Sequence, residues 1–477
     1  MKKNKTFLLI LAALVGAGFT GLILNIFKVP VAQTIAMAIG LFVLALPFVL
    51  KKPQIGLFLI GFFLPFERMP TVELGGLTVK INHILIIFLL IAFIGQKIAQ
   101  GKLRLPQDPG RFFLILFLLT LTFSLPAAIN LTRSLEVLAF MILMGITYLT
   151  VTLAVEDKES LILAIKGILW GAVAAALLGL FQFFGDMINL PTQVTLLKEG
   201  YDKSTFGFAR VMAASQEPLY FSNYIFIPFF VGLLLLIRGQ MHEVFKKSWA
   251  ILLVLALLVN LVLAISRGAY LAFAITFVIF VILQIKIIFQ PKILAGAVMV
   301  VVVVLLGSYL ALLKSEPQAI DEFVSHVKVE DRDVGESVVS RVNASRQALD
   351  LFGDKPIFGI GLGNFGPQVQ GNLDEEPDTG WFIVNNEYLE LLAENGIVGL
   401  ASFALLIIVL FIRAIIAFFK TQDKLLKSAI LGLSLALVSI LIQYATFSTL
   451  YIFHVWFAIG LLAATSHIVL GKNNVNN

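Results

Sequence analysis

Two arginines set in apolar surroundings are the first residues able to do chemistry. Arg267 occupies the turn Ser266-Arg267-Gly268, between the apolar runs Leu261–Ile265 and Ala269–Phe273. A guanidinium keeps its charge and offers a planar fork of donors that matches phosphate oxygens. The bland alternative is an interfacial anchor whose stem lies along lipid while its head reaches the headgroups. Arg267 has no basic neighbour and is clamped in a turn, which fits a phosphate ligand better. Gly268 lets a ligand or a second backbone come close. Arg210 lies in Phe208–Pro218, where the alternative is an exposed loop charge. Glu217-Pro218 is an ordinary helix opening, an acid followed by proline in the first turn, so Glu217 has a structural reason of its own.

Other chemistries lack their residues. Cysteine is absent, and the five histidines (His83, His242, His326, His454, His467) show no metal-ligand spacing. Asp331-Arg332-Asp333 is one acidic pair inside an acidic loop and reads as solvated charge. Neither a metal nor a cofactor is expected. Gly359, Gly361 and Gly363 imply tight backbone turns. No strand precedes them in a βαβ setting, so a dinucleotide site is rejected. Trp381 and Phe382 read equally as interfacial anchors or as a sugar-stacking platform. Asn385–Glu394 reads as a helix start, with Leu389, Leu392 and Ala393 on one face and Glu387, Glu390 and Glu394 largely on the other.

These residues must be held by a membrane body. Hydrophobic residues make up 59% of the 477 and charged residues 13%, with a mean hydropathy of +0.97. That composition excludes a soluble globular protein. Apolar runs of membrane-crossing length predict spans at 7–27, 31–50, 54–66, 80–99, 111–126, 134–154, 160–184, 218–237, 248–266, 269–288, 293–314, 395–418, 426–446 and 449–470. The fold class expected is therefore an all-α polytopic bundle of about 14 (12–14) membrane helices. The first run, behind Lys2, Lys3 and Lys5, reads as a retained helix rather than a cleaved signal. Basic residues gather at alternate loops, which makes that side cytoplasmic and puts both termini there. The net charge of +6 reflects those loops and not nucleic-acid binding.

The expected division is an N-terminal bundle over 1–314, a long outer segment over 315–394 and C-terminal helices over 395–477. Ser340–Phe352 should be amphipathic helix, and a polar segment of this length is usually functional.

Together these pieces resemble the O-antigen ligase and O-antigen polymerase family of polysaccharide-assembly membrane proteins. The resemblance covers mainly 205–273 and 336–400. Arg210–Asn223 is similar to the family's outer-loop arginine followed by a proline-led helix. Ser266-Arg267-Gly268 resembles its arginine-glycine turn, and Pro356–Phe365 its P-x-x-G-x-G-x-G-x-F stretch. Asn385–Gly399 resembles its His-Asn motif followed by Gly-x-x-Gly, with Asn385 standing where the ligases carry histidine. Asparagine cannot accept a proton as imidazole does, which moves the expectation from ligase towards polymerase.

The resemblance implies metal-independent glycosyl transfer from an undecaprenyl-diphosphate-linked donor to a glycan or lipid acceptor, outside the cytoplasmic membrane. Arg267 and Arg210 would grip the diphosphate, with Arg341 a third ligand. Glu387 and Glu217 are the candidate carboxylate bases. Asn385, Asn386, Tyr388, Gly361 and Gly363 would line the substrate site. Three alternatives stay open: a ligase to a lipid or protein acceptor, a lipid-linked-oligosaccharide flippase, and a non-catalytic assembly partner. Sparse ionisable residues within the spans weigh against transport.

Overall fold

The structure, a computed structural model, describes residues 54–471 apart from 69–70, 75–76, 102–107, 199, 204–206, 289, 291–331, 372–375 and 378–379. The expected spans 7–27, 31–50 and 293–314 and the acid Asp331 lie outside these. The described chain is helical but for one hairpin, β1 (Thr71–Leu74) antiparallel to β2 (Leu77–Lys80). Besides the short helices Thr192–Thr195 and Phe365–Val369, the helices are α1 (Gln54–Phe63), α2 (Ile81–Ala99), α3 (Pro109–Ser124), α4 (Leu131–Ala154), α5 (Lys158–Met187), α6 (Pro218–Ile237), α7 (Lys247–Leu263), α8 (Arg267–Ile288), α9 (Arg332–Asp354), α10 (Glu387–Lys420), α11 (Lys424–Gln443) and α12 (Phe453–Gly471). Among the described residues nine helices are long and apolar enough to cross a membrane, and α1 and α7 are shorter apolar helices. The chain is therefore an integral membrane protein.

Helices that carry apolar residues all round can be buried all round. The span regions of α6 and α12 are the most enclosed, 78% and 89% buried. They form the centre, and α2, α3 and α8 the rim. Small residues let backbones meet. A Cβ on Gly167 or Gly171 of α5 would fall 2.2 or 2.3 Å from the carbonyl oxygens of Phe58 or Phe62 of α1. Polar pairs add to the contact of α3 with α10, where the Thr120 and Ser402 hydroxyls lie 2.9 Å apart.

The bundle has two distinct ends. At one, Lys158 at the start of α5 bridges Glu243 and Asp423 at 3.0 Å each, and Arg413 meets Asp108 at 3.6 Å. Arg238, Lys246, Lys247, Lys420 and Lys424 fall at that end by helix order. The other end gathers the loop after α5, the α7–α8 turn, α9, the start of α10 and the α11–α12 connection. The helix expected over Ser340–Phe352 is part of α9, which packs against α10.

Candidate functional site

Residues 207–217, ahead of α6, form neither helix nor strand, so their backbone groups need other partners. Gln182 of α5, fully buried, supplies them. Its Oε1 accepts from the N–H groups of Met212 (3.1 Å) and Ala213 (2.8 Å), and its Nε2 donates to the Ala213 carbonyl (2.9 Å). Val211 N–H donates to the Leu263 carbonyl at 3.1 Å. The loop is thus pinned on the α7–α8 turn, and Arg210 Nη2 donates to the Ile265 carbonyl at 2.9 Å.

Arg267 opens α8 two residues later. It acts as a like charge on both Arg210 and Arg341, so the three guanidiniums share one region. Burial depresses Arg210; Tyr201, Tyr270 and Glu217 oppose this, and Arg267 adds to it, for a net lowering. Desolvation and then Arg267 lower Arg341. A guanidinium stays charged through such shifts, so the cluster concentrates positive charge in a way suited to an anion. Tyr201 lies under Arg210, its ring centroid 5.6 Å from the guanidinium carbon, and hydrogen-bonds Glu217. Glu217 thereby brings a carboxylate near Arg210. It also stands at the N-cap of α6 without a side-chain capping bond.

Gly268 does permit a close approach. A Cβ there would lie 2.0 Å from Thr446 Oγ1, so the turn presses on the α11–α12 connection. That connection leads to α10, because Glu387 N–H donates to the Phe447 carbonyl at 3.2 Å.

The acids of α10 turn inward. Glu387, Glu390 and Glu394 do not form a solvent face; Glu387 and Glu394 are 4% and 6% exposed and Glu390 is half-buried. The glycine-rich stretch explains it. Gly363 N–H donates to Glu394 Oε2 at 2.7 Å, Phe365 N–H to Oε1 at 2.9 Å, and Val384 N–H to Glu390 Oε2 at 2.8 Å. Carboxyl oxygens are good acceptors for backbone donors that no regular structure satisfies. The three carboxyl groups lie near enough to repel one another, with Arg133 of α4 as counter-charge to Glu390 and Glu394.

The remaining expected residues divide by role. Asn386 caps α10, its side chain accepting from Tyr388 N–H (3.1 Å) and Leu389 N–H (3.2 Å). Tyr388 donates its hydroxyl to the Leu441 carbonyl at 2.6 Å. Cβ atoms at Gly361 and Gly363 would strike Ala128 at 2.6 Å and Val137 at 2.9 Å, so both glycines have a packing reason against the start of α4. Asn385, at φ +58°, lines a cleft of about 670 Å³ between α9 and the segment 381–385.

A buried polar chain escaped the sequence reading. His454 at the start of α12 reaches Glu67 Oε1 through Nδ1 (3.1 Å) and Asn223 Oδ1 through Nε2 (2.8 Å). Asn223 Nδ2 donates to Gln443 Oε1 at 2.8 Å, and Gln443 Nε2 to the Leu219 carbonyl at 3.2 Å. The carbonyl at the far end orients each amide in turn, so Asn223 presents its Oδ1 as acceptor to Nε2 of His454. Glu67 N–H and Arg68 N–H both donate to the Ala214 carbonyl, which ties this chain to the Arg210 loop. Burial pushes the Glu67 carboxyl up, but His454 and then Lys80 and the Gln216 bond outweigh that and leave it below its ordinary range. An ionisable residue inside an apolar run, Ile452-Phe453-His454-Val455-Trp456, was the signal available.

Comparison with characterised proteins finds no curated relative that matches the chain. A family model described as O-antigen ligase matches residues 251–404, a span that includes Arg267, Arg341, the 356–365 stretch and the α10 motif, and leaves out Arg210 and Glu217. Residues 251–404 of this integral membrane protein are thus similar to the O-antigen ligase family, which supports the resemblance its motifs carry.

Proposed function

We propose that the protein polymerises or transfers undecaprenyl-diphosphate-linked glycan at the outer face of the cytoplasmic membrane. The observation that supports this is the convergence of Arg210, Arg267 and Arg341 from three separate segments at one end of the bundle. The donor's lipid lies along the helices and its diphosphate among the guanidiniums. The acceptor hydroxyl oxygen attacks the anomeric carbon. The bond from that carbon to the phosphate oxygen breaks, and its electron pair stays on the diphosphate. Fixed positive charge stabilises the oxygen that gains this pair, which is where electrostatic catalysis acts. The hydroxyl proton passes to a carboxylate. Glu217 suits that role because it hydrogen-bonds Tyr201 and its charge acts on Arg210; Glu387 is the second candidate.

The basic residues at the opposite end of the bundle support a cytoplasmic placement of that end and of both termini. The scheme calls on no metal. Asn385 favours polymerisation, and the family description favours ligation as the second reading. Incubating the purified protein with lipid-linked repeat units decides between them. Longer glycans mark a polymerase, and glycan on a new lipid or protein acceptor marks a ligase. Redistribution of the lipid-linked units between leaflets, or no product at all, would overturn the reading in favour of a flippase or a non-catalytic partner.

A further inference from the structure

We propose that the cleft between α9 and segment 381–385 is a binding subsite for uncharged glycan, placed beside the arginine group. It rests on the glycan-transfer reading and adds the class of sugar. The volume of about 670 Å³ falls within the range of small-molecule sites.

Its walls have the chemistry of carbohydrate recognition. Ser340, Asn343 and Gln347 recur at helical spacing on one face of α9, and Asn385 faces them across the cleft. The Asn343 and Gln347 side chains are exposed and line the cleft. Amides and a hydroxyl both donate and accept, as sugar hydroxyls do. Trp381 and Phe382 form the aromatic wall, half-buried and exposed respectively. Their rings offer flat apolar faces for the C–H face of a pyranose.

That wall is held in place. Gln370 Oε1 accepts from Phe382 N–H at 3.0 Å, and its Nε2 donates to the Gly380 carbonyl at 3.3 Å. Among the described residues no charged side chain lines the cleft. An acidic sugar would therefore be desolvated there without a counter-ion, whereas a neutral one would not. The position is also apt. Arg341 follows Ser340 on α9 and lies in the field of Arg267, so a glycan in the cleft sits next to the anion site.

The test uses the full-length protein in detergent or nanodiscs and needs no catalysis. Saturation-transfer NMR is recorded with a galacto-oligosaccharide and an N-acetylglucosamine-containing tetrasaccharide, against an oligogalacturonate. Binding of at least one neutral probe, weaker binding of the oligogalacturonate, and an affinity loss of about tenfold in Trp381→Ala are expected. Trp381→Phe keeps a stacking face and should keep most of the binding; thermal unfolding of both variants reports on folding. In the transfer assay Trp381→Ala should raise KM for the glycan acceptor and leave kcat within about twofold. No neutral binding by the native protein, equal binding of the oligogalacturonate, or unchanged affinity in Trp381→Ala overturns the subsite. Binding that persists in a protein without transfer activity would uphold the subsite and reject the glycan-transfer reading instead.

Discussion

Arg210 donates through Nη2 to the carbonyl of Ile265 at 2.9 Å, and Ile265 stands two residues before Arg267. Like charges repel, so two guanidiniums held this way need a structural reason to stay together. The hydrogen bond supplies it at the level of the chain. An anion between them would relieve the repulsion.

Arg267→Ala should lower the rate of glycan transfer by about two to three orders of magnitude, with protein level unchanged. Arg267→Lys should restore only part of it, because a point charge lacks the planar fork. Radiolabelled lipid-linked substrate and gel analysis would measure this. A wild-type rate in Arg267→Ala removes its assigned role.

Glu394→Ala leaves the N–H groups of Gly363 and Phe365 without their acceptor and should cost about 3 kcal/mol of stability. Thermal unfolding in detergent reports it. If Glu394 instead acted as the base, the variant would be inert at temperatures where it is fully folded.

Gly396 interrupts α10 with φ +65° and ψ −170°, a conformation reserved to glycine, and a Cβ there would fall 2.2 Å from the Ile357 carbonyl oxygen. Gly396→Ala should destabilise by about 3 kcal/mol. Gly353 in α9 faces open space, and Gly353→Ala should be neutral or stabilise by about 1 kcal/mol. Equal unfolding temperatures for the two variants would refute the kink.

Glu67 has a folded-state affinity for protons below its ordinary value of 4.5. Its contribution to stability is therefore complete above that value and is lost as pH falls through the depressed folded value. Glu67→Gln cannot titrate. The gap in melting temperature between native protein and Glu67→Gln should hold near neutrality and shrink on acidification below 4.5. A gap that stays constant into acid would exclude the linkage.

The helices were legible because hydrocarbon length alone dictates them, and α2 through α8 fall where apolar runs predict spans. Arg267 was legible because a permanent charge between two such runs has few explanations. The inward turn of Glu390 and Glu394 was not. Helical periodicity assigns charges to water, and only the unpaired N–H groups of Gly363, Phe365 and Val384, distant in sequence, reverse it. The bond between Glu67 and His454 joins opposite ends of the chain, which no local pattern encodes. The hairpin at 71–80 did leave a trace: Gly75-Gly76 separates Thr71-Val-Glu-Leu74 from Leu77-Thr-Val-Lys80.

The pairing of Gly363 with Glu394 also closes a ring of chain. Both its ends are tied at 2.7 Å, so the excursion from 366 to 385 hangs from a fixed neck. Lengthening such an excursion costs entropy only logarithmically. Extra residues around Gly371 should therefore be absorbed without disturbing α10, whereas one residue added between Gly359 and Gly363 would pull the neck out of register.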